Sequence, residues 1–251
     1  MKIAFLGSKP IGYACLGFLL ENRENFNIEV VAVFSNDNVR FGEDCSVKKL
    51  ANENGIYFGI TLDDILNCNL EFDFIISVQY HLILKDIHIA KARVLAINLH
   101  MAPLPEYRGC NQFSFAIYNQ STFFGTTIHQ LEAGIDNGKI IAERRFELNE
   151  NMMVKDLYDK TVEESLFLFK SEILNILNNR YTLVPQEELI SKRGTKIYYR
   201  KDILKLREID LGLISKDVAL KVKATSMPGF EPAFTIIDGV KFYIIPASQY
   251  K

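Results

Sequence analysis

The first part of the chain alternates between short apolar runs and longer amphipathic segments. Lys2–Leu6 and Glu29–Phe34 are apolar runs with the length of buried strands, and Ile11–Leu20 between them carries apolar residues at helical spacing. This β-α-β beginning predicts an α/β fold with a doubly wound, mostly parallel sheet, whose ligands lie at the carboxyl ends of the strands. Because Gly-x-Gly-x-x-Gly does not follow the first strand, a dinucleotide cofactor is not expected.

The same alternation continues through the middle of the chain. Its clearest element is a helix over Met152–Asn179, where apolar residues recur at three- and four-residue steps. The other predicted elements are strands at Phe72–Val78, Val94–Ile97, Thr126–Leu131 and Lys139–Phe146, and helices at Val47–Asn54 and Asn111–Asn119. We expect the last two of these strands to form an antiparallel pair.

Beyond the long helix, a linker around Pro185 leads into a short C-terminal part. It offers a helix around Lys216–Ala224 and two alternating apolar runs flanking Asp238-Gly239, which is a strong hairpin signal. An isolated hairpin is only marginally stable, so either a homodimer interface or packing within the chain is expected to cover it. We predict a main domain at residues 1–184 and an extension at residues 185–251, with dimerisation as the role of the extension.

Composition and charge are those of an ordinary globular protein. Of the 251 residues, 48% are hydrophobic and 24% are charged, and the formal net charge is -2. A chain so nearly neutral lacks the basic field that a nucleic-acid backbone demands. The four cysteines are scattered, so neither a zinc site nor a disulfide framework is expected. Without a signal peptide or a membrane-spanning run, we expect a cytoplasmic protein without membrane contact.

Candidate chemistry begins at Asn98 and His100, which follow the strand at Val94–Ile97. Alternate residues of a strand share a face, so these two side chains project together, and Pro103 and Pro105 then end regular pairing. A carboxamide can donate to a developing oxyanion and an imidazole can move a proton near neutral pH, which together suit acyl transfer. Taken alone, a histidine at a strand end more often has a structural role.

A second candidate lies in the turn between the two strands of the predicted antiparallel pair. Asp136 stands in this Gly-Ile-Asp-Asn-Gly turn and could approach the imidazole if the fold brings the two stretches together. His129 lies inside the preceding strand, and its alternation with Thr127 and Leu131 favours packing or a structural hydrogen bond over catalysis.

Together these stretches form the pattern Asn-x-His, then Leu-Pro-x-x-x-Gly, then Asp-x-Gly. It is found here as Asn98, His100, Leu104-Pro105, Gly109 and Asp136-Asn137-Gly138. This pattern resembles that of the formyltransferases that use N10-formyltetrahydrofolate, and the resemblance covers residues 1–150 well. One departure is Ala102-Pro103, where many members have Ser-Leu, and we expect it to alter the loop shape more than the chemistry.

The resemblance implies a role for each of the three polar residues. Asn98 would donate to the oxyanion, His100 would accept the proton of the attacking amine, and Asp136 would orient His100. It also implies a site for N10-formyltetrahydrofolate after the strand at Phe72–Val78 and in the turn with Asp136, and no metal. The candidate contacts are Gln79, Tyr80, His81, Leu82, Ile83, Gly134, Ile135 and Asp136. By itself, His81 has no partner in the sequence and would be structural.

Members of this family differ in their acceptor, and the C-terminal part bears on that choice. The methionyl-tRNA enzyme looks like the same catalytic domain followed by a large basic barrel, whereas this chain has a short tail nearly balanced in charge. The glycinamide ribonucleotide enzyme has a Gly-rich loop where this chain has Lys9-Pro10, and it ends near the long helix.

The resemblance therefore favours a sugar N-formyltransferase acting on a dTDP-linked amino-dideoxy sugar, preferably dTDP-4-amino-4,6-dideoxy-D-glucose for O-antigen or other surface glycans. A dTDP-3-amino sugar, UDP-4-amino-arabinose and methionyl-tRNA remain alternative acceptors. A non-catalytic relative that binds folate or a nucleotide sugar is the alternative outside enzymes.

The expected contacts of the nucleotide sugar are spread along the chain. They are Ser8, Lys9, Ser77, Gln79, Pro105, Tyr107, Arg108, Gly109, Tyr198 and Arg200. Lys9 stands where a phosphate could meet a helix N-terminus, with a solvated lysine as the alternative. Arg108 could anchor a phosphate or its own loop. Tyr198 could stack on a base and Arg200 could pair with a diphosphate, or both could complete a surface strand.

Overall fold

The computed structural model describes residues 1–36, 45–212 and 214–247. The strands are β1 Lys2–Gly7, β2 Glu29–Phe34, β3 Tyr57–Gly59, β4 Phe72–Val78, β5 Ala92–His100, β6 Arg108–Gly109, β7 Phe123–Gln130, β8 Ile140–Glu147, β9 Ile197–Tyr198, β10 Ala233–Ile237 and β11 Val240–Ile244. The helices are α1 Lys9–Glu21, α2 Arg23–Phe26, α3 Val47–Glu53, α4 Leu62–Asn67, α5 Asp86–Ile89, α6 Gln112–Tyr118, α7 Val154–Leu177, α8 Glu187–Arg193, α9 Leu204–Arg207 and α10 Ser215–Thr225, with a 3₁₀ helix at Arg200–Ile203.

The central sheet confirms the predicted doubly wound α/β fold. In the described ranges it has seven strands in the order β3-β2-β1-β4-β5-β7-β8. The strands from β3 to β5 are parallel, whereas β7 and β8 are antiparallel to their neighbours, as predicted for that pair. The strand order reverses between β1 and β4, and the carboxyl ends of β1, β4 and β5 therefore meet at the edge where such sheets bind ligands.

Alternate residues of the strands supply the cores on the two faces of the sheet. On β1, Phe5 joins the cluster that packs against α1, α3 and α7, whereas Leu6 joins the cluster under α4. The long predicted helix is α7, and its apolar side chains, such as Phe169 and Ile173, are fully buried. Burial of one such side chain contributes about 1.5–3 kcal/mol, so α7 holds the sheet that carries the strand ends.

The expected linker around Pro185 instead contains a helix, α8. The sequence does not predict this helix because its seven residues, Glu-Glu-Leu-Ile-Ser-Lys-Arg, are mostly charged and present no apolar stripe. Interactions with β8 hold it at both ends. Val184 forms a two-way backbone bridge with Ile140, and Arg193 forms a 2.8 Å ion pair with Glu143.

The C-terminal hairpin is present as predicted. Strands β10 and β11 pair around Asp238 and Gly239, both of which have the positive φ that this turn requires. They form a two-stranded sheet separate from the central one. Among the described helices, none has the length and apolar composition that a bilayer crossing requires.

Candidate active site

Two strand ends and one turn bring four polar side chains together at the carboxyl edge of the sheet. Asn98 and His100 lie at the end of β5, and the antiparallel pairing with β7 sets Asn98 opposite His129. The turn after β7 carries Asp136, whose carboxylate oxygens lie 3.7 Å from His100 Nδ1 and 3.7 Å from His129 Nε2. The fold thus brings Asn98, His100 and Asp136 into one cluster, together with His129.

The proton positions on His100 follow from its contacts. Its Nε2 lies 2.7 Å from the backbone oxygen of Tyr107, and a carbonyl can only accept, so Nε2 carries the proton and donates. In the neutral ring, Nδ1 then has a free lone pair on the side that faces Asp136. A proton taken up at Nδ1 would produce an imidazolium next to a carboxylate. The ring is therefore set up as a proton acceptor.

His129 carries its proton on the other ring nitrogen. Its Nδ1 donates to the backbone oxygen of Gln130 at 2.8 Å, so Nε2 of the neutral ring is an acceptor. The amide nitrogen of Asn98 lies 3.1 Å from this Nε2 and donates one of its two hydrogens to it. This contact fixes the carboxamide with its second hydrogen directed elsewhere, which is the requirement for an oxyanion donor. Of the two roles expected for His129, packing or a structural hydrogen bond, these contacts are of the second kind.

Asp136 is held as a carboxylate by its surroundings. Burial is the largest influence and raises its pKa, but the charge that His100 carries when protonated, the contacts with His129 and the hydrogen bond from the Gly109 N–H outweigh burial and hold the pKa of this carboxyl well below its usual range. The backbone N–H of Gly109 donates to Oδ2 at 2.8 Å. Asp136 itself has a left-handed backbone with φ of 45°, a conformation that costs a non-glycine residue free energy.

The loop between β5 and α6 is held against the turn with Asp136. Arg108 Nε donates to the backbone oxygen of Ile135 at 2.8 Å, which matches the loop-anchoring alternative for this arginine. Gly109 pairs with Tyr198 of β9, and a Cβ on Gly109 would lie 2.3 Å from the Tyr198 oxygen. Only glycine therefore fits between Asp136 and β9.

A second polar group lies beside the cluster, at the ends of β1 and β4. Lys9 and Gln79 both have left-handed backbones, and Lys9 Nζ donates to Gln79 Oε1 at 2.8 Å. Ser8 Oγ donates to the Gln79 backbone oxygen at 2.5 Å, while Ser77 pairs with Asn98 on the adjacent strand. Burial lowers the pKa of the Lys9 ammonium, and the nearby positive charge of Arg200 lowers it further, against an opposing effect of the Cys110 thiol.

The predicted folate contacts surround the same edge. Leu82 and Ile83 are exposed apolar residues in the segment after β4, and His81 lies beside Tyr80 with ring centroids 4.8 Å apart. The Tyr80 ring packs into the core below, where burial raises its pKa to about 12. The other predicted contacts, Gly134 and Ile135, belong to the turn with Asp136.

Five predicted substrate contacts are buried, namely Ser8, Ser77, Pro105, Tyr107 and Tyr198. The Tyr198 ring is 4% exposed and stacks on Phe115 and Tyr107, with centroid distances of 4.3 and 5.6 Å. Base stacking by Tyr198 would require this aromatic cluster to open, so its contacts match the alternative of completing a strand. Arg200, in contrast, is exposed near Lys9.

Two residues of the site carried no functional signal in the sequence. His129 stands in a strand pattern that also fits packing, and its place at the site depends on the register between β5 and β7. Gln186 is a single glutamine after the proline of an expected linker, yet its side chain contacts the turn with Asp136. Within the described ranges, no group of three or more histidine, cysteine or acidic side chains is arranged to hold a metal ion.

Several known proteins resemble this chain in sequence or in fold. The sequence pattern of the formyl transferase family matches residues 63–170. A methionyl-tRNA formyltransferase of Alkaliphilus oremlandii is 25% identical over 232 residues, which are 85% of this chain and 74% of that protein. The sugar 3N-formyl transferase WlaRD, solved in the presence of dTDP and 5-N-formyl-THF, superposes with a TM-score of 0.78 at 28% identity, over 96% of this chain and 84% of its own.

A further solved structure is the N-formyltransferase of Helicobacter canadensis in complex with folinic acid and dTDP-3-aminofucose. It has a TM-score of 0.76 and 25% identity, and the match covers 96% of this chain and 86% of that chain. The family pattern spans β4, β5, β7 and most of α7, which include the strands that carry Asn98, His100 and His129. Residues 63–170 therefore match the formyl transferase family, and the chain is an enzyme that transfers formyl groups.

Proposed function

We propose that this enzyme moves the formyl group of N10-formyltetrahydrofolate to the amine of a nucleotide-linked amino sugar. The observation that carries the proposal is the cluster of Asn98, His100 and Asp136 at the carboxyl edge of the sheet. It combines an amide donor, a proton acceptor and a carboxylate at contact distance, which are the groups that acyl transfer to an amine needs.

The residues beside the cluster suit the folate. Leu82 and Ile83 offer exposed apolar surface, and the turn at residues 133–138 offers peptide groups, which together fit a flat heterocycle with polar edges. The bound folate supplies an activated formyl carbon: the amine nitrogen bonds to this carbon, the bond from the carbon to N10 breaks, and N10 takes up a proton.

Each residue of the cluster has one task in this reaction. The free hydrogen of the Asn98 amide donates to the formyl oxygen, an interaction that strengthens only as negative charge develops there. His100 Nδ1 accepts the proton that the amine loses. Asp136 stabilises the resulting imidazolium through the 3.7 Å contact with Nδ1.

The charges on the other side of the cluster favour a nucleotide diphosphate. Lys9 and Arg200 lie close enough for the Arg200 charge to lower the pKa of the Lys9 ammonium. Two neighbouring cations repel each other. A polyanion that binds between them is attracted to both, and this attraction offsets their repulsion and the burial of Lys9. We assign the diphosphate to Lys9 and Arg200, with Ser8 and Gln79 holding Lys9 in place.

The preferred acceptor is dTDP-4-amino-4,6-dideoxy-D-glucose, as a precursor of O-antigen or other surface glycans. The near-neutral chain supports a sugar over a tRNA, since a tRNA needs many phosphate contacts. Two similar proteins, one solved in the presence of dTDP and one in complex with dTDP-3-aminofucose, support a thymidine nucleotide. A methionyl-tRNA formyltransferase among the relatives makes methionyl-tRNA the acceptor to test against it.

The deciding experiment measures formyl transfer from N10-formyltetrahydrofolate to four acceptors in parallel. These are dTDP-4-amino-4,6-dideoxyglucose, its 3-amino isomer, UDP-4-amino-arabinose and methionyl-tRNA. Turnover on a dTDP-sugar alone is the expected result. Turnover on methionyl-tRNA alone would contradict the proposed acceptor class, and folate binding without any turnover would favour a non-catalytic relative or another sugar.

We also propose that the enzyme is a homodimer through the hairpin β10–β11. One face of this hairpin carries Ile237, Val240 and Phe242, with exposed fractions of 47%, 54% and 49%. Side chains of this kind on a two-stranded sheet lose contact with water when a second hairpin packs on them.

A further inference from the structure

The turn that carries Asp136 has almost no backbone hydrogen bonding of its own, and side chains satisfy its carbonyls instead. Asn137 Nδ2 donates to the Ala133 oxygen at 3.0 Å and Arg108 Nε donates to the Ile135 oxygen at 2.8 Å. Gln186 Nε2 donates to two carbonyls at once, those of Asp136 at 2.9 Å and Gly138 at 2.8 Å. Gln186 therefore spans the turn on both sides of Asn137.

Gln186 comes from outside the stretch that carries the family pattern, and its position is fixed. The backbone bridge between Val184 and Ile140 ends two residues earlier, and Pro185 lies between them. After Gln186, helix α8 runs to Arg193, which is ion-paired to Glu143 of β8. The glutamine is 3% exposed. It is thus held between two anchors on the strand that leaves the turn.

The orientation of the Gln186 amide is unambiguous. Two carbonyl oxygens face one end of the amide, and only the NH₂ end can donate to both. The other end, Oε1, is buried without a hydrogen-bond partner. Leaving a buried acceptor unpaired costs about 1–3 kcal/mol, so the side chain is not optimised for stability at this place. In return, the Gln186 NH₂ group donates hydrogen bonds to the backbone oxygens of Asp136 and Gly138.

Asp136 needs such support because its backbone is left-handed, with φ of 45°. An unsupported turn would relax toward lower-energy backbone angles and carry the carboxylate away from His100 and His129. We propose that Gln186 is a positioning residue for the reaction: by donating to the carbonyls of Asp136 and Gly138, it holds the Asp136 carboxylate at His100. The kinetic part of this inference rests on the proposed function, whereas the structural part does not.

The test replaces Gln186 with methionine, which has nearly the same shape but no donor. Without its donors the turn relaxes, and the Gly109 N–H, which donates to Asp136 Oδ2 at 2.8 Å, becomes exposed to exchange. Gln186→Met should therefore accelerate hydrogen exchange at the Gly109 amide at least tenfold. It should also lower kcat by about 100-fold, the cost of misplacing a catalytic group by about 1 Å, with KM for both substrates little changed.

The matched control is Thr161→Val, which also removes a buried side-chain hydrogen bond. Thr161 donates at 2.7 Å to the Leu157 oxygen within α7, so this bond does not involve the turn. This control should leave Gly109 exchange and kcat near wild-type values, while Asp136→Ala should accelerate exchange as the positive reference. If Gln186→Met does not fold, Gln186→Leu replaces it, because leucine also lacks the donors and adds no charge at this buried place.

Gly109 exchange in the Gln186 variant equal to that in Thr161→Val would overturn the inference. So would an unchanged kcat in a folded variant. If the wild-type enzyme transfers formyl to none of the acceptors tested, that failure concerns the proposed function alone, and the exchange measurement still decides the role of Gln186.

Discussion

The two histidines of the site have different functions because two backbone carbonyls select different nitrogens. The backbone oxygen of Tyr107 accepts a hydrogen bond from Nε2–H of His100, and that of Gln130 accepts one from Nδ1–H of His129. His100 therefore turns a lone pair toward Asp136, whereas His129 turns its lone pair toward the Asn98 amide. In the proposed mechanism, His100 receives a proton and His129 holds Asn98, the residue proposed to donate to the oxyanion.

This difference between the two histidines predicts the effect of substituting Asn98 or His100. Asn98→Ala removes the proposed oxyanion donor, and a loss of one such donor typically lowers kcat by about 100- to 1000-fold. His100→Ala removes the proton acceptor and should lower kcat at least as much. Steady-state kinetics with the accepted sugar provide the measurement, and circular dichroism should show a retained fold.

The exposed amide substitution Asn178→Ala, at the end of α7, serves as the control and should keep full activity. Wild-type turnover in His100→Ala would show that the proton leaves the amine by another route.

The pH dependence of stability should report on Asp136. Its pKa in the folded protein lies below that in the unfolded chain, so the carboxylate adds stability above the unfolded pKa of about 3.9, and this contribution is lost as pH falls below it. The gap in unfolding free energy between the wild type and Asp136→Asn should thus narrow from pH 5 to pH 3, as measured with urea. Glu53→Gln, an exposed carboxylate, controls for net charge. A gap that widens toward pH 3 would contradict the assigned direction.

At the scale of single residues, the sequence predicts those members of the cluster whose positions follow a local pattern. Asn98 and His100 alternate on one strand, and Asp136 sits in a turn with its own signature. His129 and Gln186 could not be reached in the same way. Their roles depend on strand register and on a contact across 50 residues of chain, and neither leaves a local pattern.

At the scale of elements, the short pair β6–β9 fixes the loop behind the cluster. Arg108 and Gly109 pair with Ile197 and Tyr198, and the Cys110 N–H donates to the Tyr198 oxygen at 2.8 Å. Two-residue strands like these have no hydrophobic period of their own, which is why the sequence did not predict them. Their contribution is geometric, because they hold the Gly109 N–H at the Asp136 carboxylate.

Gly109→Ala tests that contribution. Gly109 has φ of 88°, and its new Cβ would lie 2.3 Å from the Tyr198 oxygen. The comparison is Gly55→Ala, where φ is 65° but no atom lies within 4 Å. The left-handed backbone costs both variants about 1–2 kcal/mol. Only Gly109→Ala adds a clash with β9, so its melting temperature and kcat should both fall further than those of Gly55→Ala. Equal losses of melting temperature and kcat in the two variants would mean that β9 moves away from the new Cβ without a measurable cost.

Helices and strands with a strong hydrophobic period were predicted within a few residues, as for α7 and the hairpin β10–β11. Helix α8 was not, because ion pairing and a backbone bridge hold it in place of an apolar stripe. Elements held by burial are visible in a sequence pattern. Elements held by a few polar contacts to distant strands are visible only in the fold.

At the scale of the whole molecule, the segment after Val184 contributes to the site. Gln186 contacts the turn with Asp136, β9 pairs with the loop at Gly109, and Arg200 lies near Lys9. The division at residues 184 and 185 stays a prediction, and these contacts give the extension two tasks. Its first part completes the site, whereas its last part, the hairpin, exposes apolar side chains at the surface.

That surface leads to a prediction about assembly. Ile237, Val240 and Phe242 share one face of the hairpin and are about half exposed. Burying such side chains in a second copy gains roughly 25 cal/mol for each Å² of apolar surface, and a closed two-fold contact would use the same face on both copies. Light scattering after size exclusion should therefore give twice the monomer mass for the wild type.

Phe242→Lys introduces a charge at the centre of that face and should shift the protein to the monomer mass. The control is Ile60→Lys, a substitution of an apolar residue that is equally exposed, at 52%, but lies beside β3 at the far edge of the sheet. It should leave the dimer intact. If both variants and the wild type have the same mass, the hairpin is covered by something other than a second copy. Because the catalytic cluster lies on β5, β7 and the turn after β7, monomeric Phe242→Lys should still transfer formyl groups, and its activity would separate assembly from chemistry.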